Sequence, residues 1–237
     1  MASRKEQKEQ LRREREEREA AAQGARRRKR LIGYGVGAAA VLVVVVVAVV
    51  VLAGGGSDGG KSSGKVLPGG GSVPKRKTKD LQAAVSAAGC KLTDYKGKSR
   101  EHVADLAKQI KYDSSPPTEG SHYQVAAEDG AYDQAPDVKE LVHALEHGRV
   151  VIWVKKGLPK DDRAGLKALF DEDSYQTILT PDPTGMKPQV AASAWTRDPV
   201  PNGTGRLLAC PKFDDSVYDA LRAFKDEYRA NGPEAVP

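Results

Sequence analysis

The chain has 237 residues and a formal net charge of +6, a length that suits one sizeable domain with additional segments. The positive charge would suggest a nucleic-acid-binding protein, but residues 1–30 carry 12 basic and 6 acidic residues and so account for the whole excess. The remainder of the chain is electrically balanced, which removes the main support for nucleic-acid binding by a folded domain.

Residues 1–30 are predicted to form a charged cytoplasmic tail, because acidic and basic residues alternate in it as in a solvated, ion-paired helix. The segment from Leu31 to Ala53 then has 23 residues without a charge. As a helix it would extend roughly 34 Å, which is enough to cross the hydrocarbon core of a bilayer. The sequence therefore predicts a single transmembrane helix over residues 31–53.

The orientation of this helix follows from the basic residues 26–30, which directly precede it. By the positive-inside rule the N-terminus is cytoplasmic and all residues after Ala53 lie outside. An alternative is a secretory signal cleaved after Val51-Leu52-Ala53, but the apolar segment is longer than a signal core. We therefore expect a cell-membrane protein that crosses the bilayer once.

Residues 54–78 are rich in glycine and serine and are predicted to form a flexible linker. Residues 79–237 follow, and they are numerous enough to bury a hydrophobic core. We expect them to form one extracytoplasmic domain.

The hydrophobic pattern of this domain predicts an α+β fold with a mixed sheet and flanking helices, because helices and short strands interleave without strict alternation. Segment 101–112 fits either a helix or a strand followed by a turn, and 113–136 is expected to be irregular because it contains Pro-Pro and scattered glycines. The expected helices are 80–88, 137–148, 161–170 and 215–229, and the expected strands are 90–95, 149–154, 174–179, 189–195 and 206–210.

The two cysteines, Cys90 and Cys210, both belong to the predicted extracytoplasmic domain. Outside the membrane thiols oxidise, and an even number of cysteines favours a disulfide. A thiolate metal site or a redox pair is the alternative, but the C-x-x-C spacing that would support either is absent. The sequence predicts a Cys90–Cys210 disulfide that ties the two ends of the domain together.

Four short motifs occur together in this domain: PPTEGSH from Pro116, VHALEHGRVVIWV from Val142, AASAW from Ala191 and FKDEYRANGPE from Phe224. In combination they resemble the bacterial family called domain of unknown function 3105, over roughly residues 88–234. The sequence departs from the family pattern at Glu119, where a serine is more usual. The resemblance implies a membrane anchor, a linker and this domain outside the cell. The family has no established activity, so the resemblance implies no particular chemistry.

All four histidines, His102, His122, His143 and His147, fall within 46 consecutive residues. On the predicted helix His143 and His147 lie one turn apart and can place two imidazoles on one metal ion, to which His122 or His102 adds a third. Imidazole with carboxylate suits zinc or copper(II) better than copper(I). The sequence predicts a metal site formed from these four residues.

The position of the histidine pair on the helix gives a second expectation. His143 and His147 lie opposite the apolar face, so we do not expect them in the main packing face of the helix. The apolar face consists of Val138, Leu141, Val142 and Leu145. In a purely structural alternative, His147 caps the helix and His122 bonds a turn carbonyl, without any metal.

His143-x-x-Glu146-His147 also fits the inverted zinc-protease pattern, with Glu146 as the catalytic base. Against this function, Gly148 ends the helix directly and a short buried strand follows. We therefore expect a membrane-anchored binding module of the cell envelope rather than an enzyme, with zinc or copper as its ligand. The alternatives are a metal-dependent hydrolase and a structural or partner-binding envelope domain that binds no metal.

Overall fold

A computed structural model describes residues 67–234 of the chain. The predicted cytoplasmic tail, the predicted transmembrane helix Leu31–Ala53 and about half of the predicted linker lie outside the described residues. Across residues 67–234, no helix combines the length and the apolar character needed to cross a bilayer.

Residues 67–234 contain four helices and eight strands in a mixed order. In chain order they are α1 (Leu81–Ala87), β1 (Lys91–Lys96), β2 (His102–Val103), β3 (His122–Tyr123), β4 (Gly130–Ala131), α2 (Val138–Glu146), β5 (Val150–Val154), α3 (Lys160–Glu172), β6 (Thr177–Pro181), β7 (Val190–Thr196), β8 (Thr204–Cys210) and α4 (Asp215–Tyr228). The fold is therefore α+β, as the sequence predicts.

The main sheet has six strands in the order β1-β8-β7-β5-β6-β4. The pairs β1–β8, β8–β7 and β7–β5 are antiparallel, whereas β5–β6 and β6–β4 are parallel. The predicted mixed sheet is confirmed. Every residue of the central strand β5 is buried, which agrees with its continuous apolar sequence, typical of a strand that is covered on both faces.

The alternation of side chains along β5 separates two hydrophobic clusters, one on each face of the sheet. Val150, Ile152 and Val154 face the first cluster, which also contains apolar residues of α1, α3 and α4. Val151 and Trp153 face the second cluster, which is covered by α2. Helix α2, which carries the histidine pair, thus packs on a different face from the other three helices.

Helix α2 has the predicted N-cap and ends at Glu146, two residues before the predicted end at Gly148. Asp137 is its N-cap and forms a capping box with Glu140, which satisfies backbone N–H groups of the first turn. Gly148 follows the helix with a φ of 84°, a conformation that residues with a side chain seldom adopt. The chain can therefore turn at once into β5.

The predicted disulfide is present. Cys90, just after α1, is bonded to Cys210, the last residue of β8, across a sequence separation of 120. The chain-entropy model gives about 4–5 kcal/mol for a crosslink that closes a loop of this length. The bond ties the link between α1 and the edge strand β1 to the neighbouring strand β8.

Part of the segment that composition assigns to the linker packs against the domain. Leu67 is buried in the first hydrophobic cluster, and its N–H donates to Asp133 Oδ1 at 3.0 Å. A Cβ added at Gly71 would lie 2.2 Å from the backbone of Ala164, so this glycine permits close approach to α3. Residues within the predicted linker therefore belong to the packed part of the chain.

The long stretch between β1 and α2 contains only three strands of two residues each. The segment 101–112 is a short strand followed by turns, which is one of its two predicted conformations. Strands β2 and β3 form a small parallel pair separate from the main sheet. Three of the four histidines lie in this pair and in the adjacent α2.

Candidate metal centre

Two local structures bring three histidines together. In the β2–β3 pair His102 is the register partner of His122, so their side chains start from adjacent backbone positions. Helix α2 contributes His143 and Glu146, three residues apart on one face of the helix. The three imidazole centroids lie 4.6 to 4.7 Å from one another.

Backbone carbonyls orient two of these rings. His122 Nδ1 lies 2.8 Å from Gly120 O, and His143 Nδ1 lies 2.7 Å from Tyr123 O. Because a carbonyl oxygen only accepts hydrogen bonds, we assign the proton of each ring to Nδ1. Each Nε2 then keeps a free lone pair. Imidazoles that ligate metals are usually oriented in this way, through a hydrogen bond from the other ring nitrogen.

The free nitrogens converge with one carboxylate oxygen. His102 Nε2 is 3.4 Å from His143 Nε2 and 3.7 Å from Glu146 Oε2, and His122 Nε2 is 2.9 Å from the same oxygen. One donor atom from each of the four residues lies within 4.8 Å of all the others. Four ligands at zinc-like bond lengths are about 3.3 Å apart in a tetrahedron, so the four atoms need only small adjustments to share one ion.

The two buried atoms at the centre of this group lack hydrogen bonds. His122 and Glu146 are fully buried, and within residues 67–234 neither His122 Nε2 nor Glu146 Oε2 has a hydrogen-bond partner. Their 2.9 Å contact is close but does not have hydrogen-bond geometry. Burying polar atoms without partners costs on the order of 1–3 kcal/mol for each group. A metal ion bound between them would remove this cost.

Arg100 holds the Glu146 carboxylate in place. Its Nε donates to Glu146 Oε1 at 2.5 Å, which directs Oε2 towards the imidazoles. Burial raises the pKa of Glu146, but the hydrogen bond and charge of Arg100 are among the effects that outweigh it, so the pKa lies below its ordinary value. The carboxylate is therefore ionised at neutral pH, as a metal ligand must be.

His143 is also in the form that a metal needs. Burial, with the neighbouring imidazoles of His122 and His147, lowers the pKa of His143 to about 4. The ring is therefore neutral at physiological pH, and its Nε2 is available to an ion.

His147 belongs to a second group. The residues His143, Glu146, His147 and Glu234 can also offer one donor atom each within 4.8 Å of the others. His147 Nε2 lies 3.7 Å from Glu234 Oε2, and burial lowers the pKa of His147. His147 is the C-cap residue of α2, but its backbone N–H, not its side chain, makes the capping contacts.

The structure brings His102, His122 and His143 together and places His147 in the adjoining group, next to Glu234. Glu146, assigned above only to the hydrolase alternative, lies among the donor atoms, and its spacing from His143 was the signal for this. No pattern in the sequence points to Arg100 or Glu234, because only the folded chain brings them next to the histidines.

His143 and His122 differ in part from what their positions in the sequence predict. His143, on the side of α2 opposite the apolar face, is only 6% exposed. This side is buried because β3 packs against the helix. The turn-carbonyl bond of His122, expected for a structural histidine, is present. It uses Nδ1 and leaves Nε2 facing the other donors, so it fits a ligand equally well.

No curated protein and no solved structure matches the chain. A family model described as "Protein of unknown function (DUF3105)" matches residues 102–236, a range that starts at His102 and contains all four histidines and Glu146. Because this match spans more than half of the chain, the protein belongs to the DUF3105 family.

Proposed function

We propose that the protein is a membrane-anchored, extracytoplasmic module that binds one divalent transition-metal ion, zinc or copper(II). The proposed ligands are His102, His122, His143 and Glu146. The observation that carries this proposal is the pair of buried donor atoms, His122 Nε2 and Glu146 Oε2, which have no hydrogen-bond partner within residues 67–234.

The chemistry of the donors supports the choice of metal. Three imidazole nitrogens and one carboxylate oxygen suit zinc and copper(II), whereas calcium and magnesium prefer oxygen ligands. Copper(I) prefers thiolates and thioethers, and both cysteines of the chain are in a disulfide.

The proposed location rests on the uncharged segment 31–53 and on the basic residues 26–30 that precede it. The Cys90–Cys210 disulfide supports it, because such bonds persist outside the cytoplasm. A reporter enzyme fused after Pro237 should be active only when it is exported, and activity of a cytoplasmic reporter there would contradict the topology.

A binding module fits the geometry of Glu146 better than a hydrolase does. A catalytic base beside a metal must be free to take a proton from bound water. Glu146 is fully buried, its Oε1 is paired with Arg100, and its Oε2 lies among the proposed ligand atoms. This geometry supports Glu146 as a ligand rather than as a catalytic base.

Metal titration of the purified full-length chain in detergent tests the proposal. We expect one equivalent of zinc or copper(II) at neutral pH by calorimetry and elemental analysis. We also expect a stabilisation of about 2.7 kcal/mol at a free-metal concentration one hundred times Kd. Calcium and magnesium should give neither effect. If neither zinc nor copper(II) binds, the structural alternative without a metal is correct.

Two substitutions locate the site. His122→Ala and Glu146→Gln should each remove the stabilisation by metal. Asp219→Asn is the matched control for Glu146→Gln, because Asp219 is a buried carboxylate that pairs with a different arginine, Arg222, on α4. If the Glu146 variant keeps full affinity, Glu146 is not a ligand.

A further inference from the structure

We infer that His147 and Glu234 form an outer position through which the ion reaches and leaves the buried site, an inference that rests on the metal-binding function proposed above. The outer position consists of His143, Glu146, His147 and Glu234, and the inner one of His102, His122, His143 and Glu146. The two positions share His143 and Glu146.

Both unshared ligands of the outer position are partly exposed, whereas one of the two unshared ligands of the inner position is fully buried. The side chains of His147 and Glu234 are 16% and 43% exposed, and those of His122 and His102 are 0% and 43% exposed. The rings of His143 and His147 have their centroids 4.4 Å apart. An ion bound at His147 and Glu234 is therefore within one short displacement of the buried donors.

Backbone contacts fix Glu234 in this place. The N–H of Glu234 donates to Glu146 O at 3.1 Å, and the N–H of Ala230 donates to Gly148 O at 2.8 Å. Between them, Gly232 lies so close to the end of α2 that an added Cβ would be 2.2 Å from Glu146 O. The segment after α4 is thus held against the metal-binding helix.

The sharing of ligands means that only one position is filled at a time. His143 has a single free ring nitrogen, because its Nδ1 is held by Tyr123 O, and one lone pair cannot ligate two ions. An ion that exchanges His147 and Glu234 for His102 and His122 keeps the two shared ligands throughout. The transfer therefore proceeds ligand by ligand and never exposes the ion without protein donors.

Charge favours this route. Glu234 presents a half-exposed carboxylate next to Glu146, and the two carboxylates lie 3.9 and 2.5 Å from the guanidinium of Arg100. A negative side chain at the opening attracts a cation from solution. His102, whose side chain is 43% exposed, offers a second opening, but it is neutral when it can bind a metal.

Stopped-flow binding of zinc to the full-length chain in detergent tests this inference. Loss of the outer position changes the route of the ion but not the site at which it finally binds. Association and dissociation should therefore slow by the same factor, while Kd stays nearly constant. In the His147→Ala/Glu234→Gln double variant we expect both rates to fall by about tenfold. The number of ions bound should remain one.

Asp171→Asn is the matched control, because Asp171 is an exposed carboxylate on α3, on the other face of the sheet. It removes the same charge as Glu234→Gln and should leave both rates unchanged. Thermal unfolding of the metal-free variants shows whether the segment after α4 still packs.

Three results overturn the inference. Unchanged rates mean that the ion enters past His102. If the wild-type chain binds two zinc ions and the double variant binds one, the outer position is an independent site. A weaker Kd with faster dissociation means that His147 is a ligand of the final site. If the wild-type chain binds no zinc at all, the proposed function fails and not this route alone.

Discussion

Two places in the domain join segments that are far apart in the sequence, and they do so by different chemistry. The Cys90–Cys210 disulfide joins the start of β1 to the end of β8. The histidine cluster, formed by His102, His122 and His143, joins β2 and β3 to α2. The disulfide adjoins the first hydrophobic cluster, and the histidine cluster adjoins the second, where His122 contacts the Trp195 ring edge to face.

The disulfide is a complete covalent crosslink, whereas the histidine cluster still contains donor atoms without partners within residues 67–234. The disulfide leaves no donor or acceptor without a partner. The histidine cluster has two buried atoms without hydrogen bonds within the described residues, and a cation would complete it. We therefore expect the first link to set the basal stability and the second to make stability depend on solution conditions.

Replacing both cysteines by alanine is the most damaging change we consider. The free energy of unfolding should fall by about 4 kcal/mol, because the unfolded chain regains the entropy of an open loop. Urea denaturation measures this loss. Metal stoichiometry should stay at one in the variant that remains folded, and loss of the metal site would show that the two links are coupled.

Mild acid should act on the histidine cluster and not on the disulfide. The pKa of His143 is about 4 in the folded domain and about 6.5 in an unfolded chain. The unfolded state therefore binds more protons between these values, so metal-free stability is greatest above pH 6.5 and is lost as the pH falls towards 4. The loss should reach about 3 kcal/mol.

Urea unfolding of the metal-free chain at several pH values checks this expectation. The His143→Gln variant should show a flatter profile between pH 6.5 and 4, because the titrating group is gone. If the wild-type profile is equally flat in this range, His143 is not held neutral by burial.

The sheet and most of the helices could be predicted from the sequence, because their signals are local. Asp137 and Gly148 mark both ends of α2, and the apolar run 150–154 indicates a strand buried on both faces. The predicted compartment and the even number of cysteines were enough to predict the disulfide. The position of the two-residue strands could not be predicted, since a pair this short depends on tertiary contacts and not on periodicity.

The candidate site was predicted only in part, for a geometrical reason. Spacing on α2 identifies His143 and Glu146 as neighbours, whereas the approach of His102 and His122 depends on the β2–β3 register. Glu234 reaches the site because Gly232 allows the chain to lie against the end of α2. A single sequence does not reveal contacts of this kind between distant segments.

Gly232→Ala should disturb the histidine side of the molecule only. The added Cβ would lie 2.2 Å from Glu146 O, so the segment after α4 must move away from α2. We expect a loss of about 2 kcal/mol in unfolding free energy, as for other overpacked positions, and slower zinc association because Glu234 is displaced. Gly69→Ala is the control, because nothing lies within 4 Å of the added Cβ and the φ of Gly69 is not positive; zinc rates equal to those of the Gly232 variant would exclude a specific effect.

The smallest effect concerns Arg100, which supports the proposed metal ligands without being one of them. Its Nε holds Glu146 Oε1, so Arg100→Gln should let the carboxylate rotate and should weaken zinc binding about tenfold, or about 1.4 kcal/mol. Arg222→Gln is the matched control, because Arg222 pairs with Glu172 and Asp219 on the other face of the sheet.

If Arg100 acts by orientation, Arg100→Lys, which keeps the charge but not the planar donor, should restore only part of the affinity. If charge alone mattered, Arg100→Gln would bind zinc more tightly than the wild type, because a cation near the ion would have been removed. The sign of the change in Kd therefore distinguishes the two roles.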